Sequence, residues 1–138
     1  ANEIKRLKET HGYCILYDAH SIASKVPKLF SGQLPDLNLG THNGKSCENK
    51  IQEKIKKVLS DSTYSYAING RFVGGYITRN YGNPQTNIHA MQMELSQENY
   101  LEETENYKFL EDKANNLRSL LNKVLEELLS WTPPIKKT

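Results

Sequence analysis

The stretch Tyr13-Cys14-Ile15-Leu16-Tyr17-Asp18-Ala19-His20-Ser21 constrains this chain more than any other. It opens as a short, almost unbroken apolar run, which suits a strand buried on both faces of a parallel sheet. It ends on two groups that ionise or bind metal. Side chains alternate along a strand, so Asp18 and His20 point to the same side, and ligands in open α/β sheets gather at the carboxyl ends of strands. D-x-H at such an edge suits a metal ligand with an acidic neighbour to orient it. It also suits a hydrogen-bonded loop histidine, because no other ligand stands at a diagnostic spacing.

The flanking residues extend this strand into an α/β pattern. Glu3 to Thr10 reads as the last turns of a helix, with Ile4 and Leu7 on one face and His11-Gly12 as its stop. Ser21 to Pro35 carries Pro27, Gly32 and Pro35 and reads as a long loop of the kind that carries function. Leu37 to Thr41 alternates like a short strand, and Asn43-Gly44 signals a turn. Ser46 stands at the N-cap position of a helix from Cys47 to Leu59, whose apolar face holds Ile51 and Ile55. Thr63 to Asn69 reads as a second main strand, and Ile88 to Leu95 as a third in which Gln92 and Glu94 share a face. Leu110, Ala114, Leu117, Leu121, Val124, Leu128 and Trp131 then step by fours and threes, a seam closed by Pro133-Pro134. Such a seam covers a sheet, or else joins helices or copies of the chain.

With 138 residues, a single domain over 1–138 is expected. The 18 basic and 16 acidic residues nearly balance, and no Lys/Arg block interleaved with aromatics points to nucleic acid. No apolar run has transmembrane length, and the first residues lack a signal-peptide core, so a soluble, cytoplasmic protein with reduced Cys14 and Cys47 is expected. The chain opens inside a helix-like polar segment without an initiator Met, as a fragment would.

Several side chains are candidates for chemistry. Glu94 lies among Ala90, Met91, Met93 and Leu95, where poor solvation raises a carboxyl pKa toward the range of a general base; a buried Glu paired with an arginine fits equally. Arg71 and Arg79 bracket Gly74-Gly75 on one glycine-punctuated loop, and two guanidinium groups beside an acid suit an anionic substrate, even a dicarboxylate. His42 and Asp36 are further ligand candidates, whereas His89, on the odd face of its strand, reads as structural. Cys47 at a helix start is a minor candidate nucleophile.

The runs Y-D-A-H-S-I, P-K-L-F-S-G-Q-L-P-D-L-N-L-G-T, G-K-S-C, N-G-R-F-V-G-G-Y-I-T-R-N-Y-G and H-A-M-Q-M-E-L-S-Q, in one order over about His11 to Tyr107, resemble the carboxy-terminal half of the N-formylglutamate amidohydrolases. The resemblance implies a three-layer, zinc-carboxypeptidase-like mixed sheet with flanking helices, here followed by a long last helix. It implies zinc-dependent hydrolysis of N-formyl-L-glutamate to formate and glutamate in histidine degradation. Residue by residue it implies His20 as a zinc ligand, Asp18 as its neighbour, Glu94 as the catalytic carboxylate, and Arg71 and Arg79 as the receivers of the substrate's carboxylates. The family's P-H-x-G stretch and the acidic residue after it, which supply the other two ligands, have no counterpart here. The expectation is therefore a truncated piece, weak or inactive alone, with one zinc ligand of its own. The alternative is a non-catalytic remnant that assembles through its sheet edge or last helix.

Overall fold

Gly12 terminates the first helix, α1 (Asn2–His11), by adopting φ 81°, a left-handed turn that a Cβ would disfavour, and its N–H donates to Lys8 O at 2.8 Å. The chain then enters β1 (Cys14–Ile22) at once. The computed structural model describes residues 1–134, in which β2 (Leu37–Gly40), α2 (Asn49–Ser60), β3 (Tyr66–Ile68), α3 (Tyr76–Tyr81), β4 (Ile88–Ser96) and α4 (Glu111–Ser130) follow.

The four strands form one mixed sheet in the order β1-β4-β2-β3. β4 runs parallel to β1 and antiparallel to β2, and β2 runs parallel to β3. The α/β class expected from the sequence is therefore present, with a different strand at its centre. β4 is the long interior strand, buried along nearly all its length. β1 is an edge strand and only partly covered, so the apolar run at Tyr13 does not mark burial on both faces. β3 is three residues long and closes the other edge.

Register sorts the sheet into two faces. Leu37, Leu39, Met91 and Met93 project to one side and join Ile51, Ile55 and Leu59 of α2 and Leu117, Leu120, Val124 and Leu128 of α4 in a single core. The last helix thus covers the sheet, as its seam predicts. The other face presents two cross-strand rows, His20–Glu94–Asn38 and Asp18–Gln92–Gly40, and α3 lies on it against β4. A glycine-rich loop leads into α3, a helix that the sequence did not announce because Gly74-Gly75 masks its start.

Ser46 does not cap α2. The helix begins at Asn49, and the Ser46 hydroxyl donates instead to Ala90 O at 2.8 Å, fastening the α2 approach to β4. The N-cap residue is Glu48, which makes no side-chain cap, and its N–H donates to His89 Nδ1 at 3.2 Å. Trp131, just past α4, packs edge-on to His89 at 4.8 Å between ring centroids and to Tyr13 at 5.5 Å, so the chain's end closes over the start of the sheet.

Candidate functional site

Because β1 and β4 are parallel and in register, His20 stands opposite Glu94 and Asp18 opposite Gln92. All four project from the polar face. Asp18 Oδ1 lies 2.9 Å from His20 Nε2; the imidazole is about half exposed, whereas Asp18 is largely covered. The aspartate therefore fixes the histidine ring and leaves its Nδ1 edge available.

Glu94 is buried, at 5 % exposure. Burial pushes its carboxyl above the usual carboxylate range, and the Gln92 amide and the positive charge His20 can carry pull against that. No arginine pairs with Glu94 among the described residues. Its Oε2 instead accepts Gln92 Nε2 at 2.9 Å, and Gln92 Oε1 accepts the Gly75 N–H at 2.8 Å. The carbonyl of that same peptide group, Gly74 O, accepts Arg79 Nη1 at 3.0 Å.

Glycines make this approach feasible. Gly74 has φ 106°, and a Cβ there would meet Thr78 at 2.7 Å. A Cβ on Gly40 would stand 2.5 Å from Gly74 N and from Val73 C. β2 thus lets the loop lie directly on the sheet beside Gln92.

The two arginines do not share a loop. Arg79 belongs to α3, whereas Arg71 precedes it, donates through Nε to Leu29 O at 2.8 Å and lies 5.6 Å from the Phe72 ring centroid. Phe72 in turn meets Phe30 edge-on at 6.2 Å. Arg71 thereby fastens the long 23–35 segment beside the glycine loop, and both guanidinium groups keep donors free.

The remaining candidates are placed elsewhere. Asp36 accepts from Ser65 N–H and hydroxyl, each at 2.8 Å, and from Asn99 at 2.9 Å, a staple between strand ends. His42 sits in the left-handed turn after β2, held through its backbone N–H to Val73 O at 2.7 Å. His89 lies on the opposite face from Glu94 and is buried. Cys47 is also buried, and its thiol is pushed up to about 12, chiefly by burial, so the expected activation at a helix start is reversed. Sequence reading missed Asn38. It is 2 % exposed, its Nδ2 donates to Glu94 O at 3.2 Å, and its Oδ1 is buried without a partner among the described residues. An asparagine between two leucines in a strand was the available signal.

Among the described residues no group of three or more His, Cys, Asp or Glu side chains converges as a metal ion would need. His20 beside Asp18 brings together one imidazole and one carboxylate, fewer than the three protein donors of a catalytic zinc site. Nor is any described helix long and apolar enough to cross a membrane.

Comparison with known proteins gives one consistent result. A model of the N-formylglutamate amidohydrolase family matches residues 1–101. An N-formylglutamate deformylase of Pseudomonas putida is 50 % identical over 130 residues, 94 % of this chain and 49 % of that protein. A second, of Pseudomonas aeruginosa, is 46 % identical over 132 residues, 95 % of this chain and 50 % of that one. The chain spans about half the length of the curated relatives it matches. The crystal structure of an N-formylglutamate amidohydrolase from Ralstonia eutropha superposes with a TM-score of 0.77 at 21 % identity, over 88 % of this chain and 46 % of that one.

Proposed function

Since the chain belongs to the N-formylglutamate amidohydrolase family, we propose that its polar sheet face contributes to hydrolysis of the formyl amide of N-formyl-L-glutamate, giving formate and L-glutamate. The observation that carries the proposal is the buried Glu94 carboxylate, held by an amide rather than neutralised by an arginine. A carboxylate raised by burial is suited to take a proton from water. In the proposed reaction a water oxygen attacks the formyl carbon while Glu94 takes its proton. The C–N bond then breaks, and Glu94 returns the proton to the leaving nitrogen. Arg71 and Arg79 receive the two carboxylates of the substrate in this scheme, which accounts for a pair of guanidinium groups where a monocarboxylate needs one.

Zinc enters the proposal as an ion to which this chain offers His20, oriented by Asp18. Bound there, zinc would polarise the formyl carbonyl and acidify a water. His20 alone does not hold the ion. We extend the proposal to a three-layer sheet of the zinc-carboxypeptidase kind, a role in histidine degradation and a cytoplasmic location.

The test is formate release from N-formyl-L-glutamate with and without added zinc. Glu94→Gln lowers kcat by about 10²- to 10⁴-fold, the usual contribution of a general base, with the fold intact by circular dichroism. Turnover by Glu94→Gln equal to that of wild type sinks the assignment.

A second reading, a non-catalytic module that assembles copies of the chain, is favoured by the β1 edge of the sheet and by Leu129 of α4, 83 % exposed. Sedimentation of wild type and Leu129→Lys decides it: a dimer that Leu129→Lys dissociates supports assembly, and a monomeric wild type removes it.

A further inference from the structure

We propose that Gln92 is a positioning residue that ties the arginine holding the substrate to the base acting on it, an inference that rests on the roles given above to Arg79 and Glu94. Three hydrogen bonds make one line: Arg79 Nη1 to Gly74 O, Gly75 N–H to Gln92 Oε1, and Gln92 Nε2 to Glu94 Oε2. Gly74 O and Gly75 N belong to a single peptide group. The line therefore runs from a cation through two amides to a carboxylate, with all three hydrogen bonds donated in the same direction.

The orientation of the Gln92 amide is dictated by chemistry. Turned over, its oxygen would face the Glu94 carboxylate and its NH2 would face the Gly75 N–H, setting acceptor against acceptor and donor against donor. Amides in such a line polarise one another, so each bond strengthens its neighbours. Gln92 is 7 % exposed, so water does not readily replace either partner. The middle peptide is held too: Gly74 turns at φ 106° and the bare α-carbon of Gly40 lies beneath it.

Arg79 spends one donor on Gly74 O and has four others in its fork. A substrate carboxylate seated on those donors fixes the guanidinium, and the line transmits that fixation to the Glu94 carboxylate. Arg71 is outside the line, because it donates to Leu29 O. The two arginines therefore differ in their relation to Gln92, and this difference is testable.

The experiment is a pair of double-mutant cycles on N-formyl-L-glutamate affinity, measured by calorimetry on the full chain without added zinc, so that binding is read apart from turnover. One combines Gln92→Met with Arg79→Lys and the other combines Gln92→Met with Arg71→Lys. In the first cycle, the double variant binds about as well as the weaker single one, a departure from multiplicativity of roughly 5-fold or more; in the second, the losses multiply. Multiplicative losses in both cycles overturn the inference while leaving the functional proposal standing. A wild-type chain that binds no N-formyl-L-glutamate overturns the functional proposal, and the inference falls with it. If Gln92→Met does not fold, Gln92→Asn takes its place in both cycles: its amide is one methylene too short to reach Gly75 N–H and Glu94 Oε2 together, and the same two outcomes decide.

Discussion

Gly40 shows how a residue without a side chain shapes the site. Any Cβ at this position meets backbone atoms of Val73 and Gly74, which cannot rotate aside as the end of a side chain would. Gly40→Ala must therefore move the loop, and forcing one carbon into a filled space costs about 1–3 kcal/mol. The loop that moves carries the Gly74-Gly75 peptide, so Gly40→Ala also weakens N-formyl-L-glutamate binding although Gly40 is no ligand of the substrate. Urea unfolding beside calorimetry checks both effects, and a variant that loses stability while keeping full affinity refutes the link. This constraint was hidden in the sequence. L-N-L-G-T reads as a short strand ahead of the Asn43-Gly44 turn, and the atoms that need the glycine lie more than thirty residues away, in Val73 and Gly74. Asp18, His20, Gln92 and Glu94 were legible because alternation along one strand decides which side chains share a face, whatever the fold around them. Their meeting across two strands was not, since pairing between β1 and β4 depends on contacts of long sequence separation.

At the scale of elements, β4 rather than β1 is the organising strand. The reason the sequence misleads here is that a compact apolar run is required equally of an interior strand and of an edge strand covered on one face. β1 is apolar because Tyr13, Ile15 and Tyr17 pack beneath the α-helical layer, while its other side carries Asp18 and His20. His89 shows how β4 is tied to the helices. Its Nδ1 accepts the Glu48 N–H ahead of α2, and its ring meets Trp131 beyond α4. A protonated imidazole loses that acceptor and places a charge in a buried site. Burial accordingly holds the His89 pKa below its ordinary 6.5. With the folded value depressed, the unfolded chain binds the proton more readily, so this group's share of stability is whole above pH 6.5 and is lost as pH falls below it toward the folded value. Unfolding free energies at pH 7.5 and 5.5 therefore differ more in wild type than in His89→Gln, whose amide oxygen accepts from Glu48 without titrating. Equal pH dependence in the two proteins sinks the assignment.

For the whole molecule, the sheet divides labour between its faces. One side is filled by Leu37, Leu39, Met91 and Met93 under α2 and α4, and it supplies the apolar burial that stabilises the fold. The other side buries a carboxylate and an asparagine oxygen without a partner among the described residues, each of which lowers stability. A site built in this way is expected to be held against the interest of the fold, and Glu94 tests the point. Its pKa is raised in the folded chain, with burial the leading cause, so the carboxyl's contribution to stability is fully present below its ordinary value of 4.5 and is lost as pH rises through the folded value. Near neutrality the folded chain carries a carboxylate that it solvates worse than water does. Glu94→Gln removes that charge, keeps a carbonyl oxygen for Gln92 Nε2 and fills the same volume. The variant is therefore more stable than wild type at pH 7.5, and the difference shrinks toward zero as pH is lowered past 4.5, where both side chains are neutral in both states. Urea unfolding at the two pH values measures it. A variant less stable than wild type at pH 7.5 would mean that Gln92 and His20 stabilise the carboxylate more than burial penalises it, and that the polar face supports the fold after all.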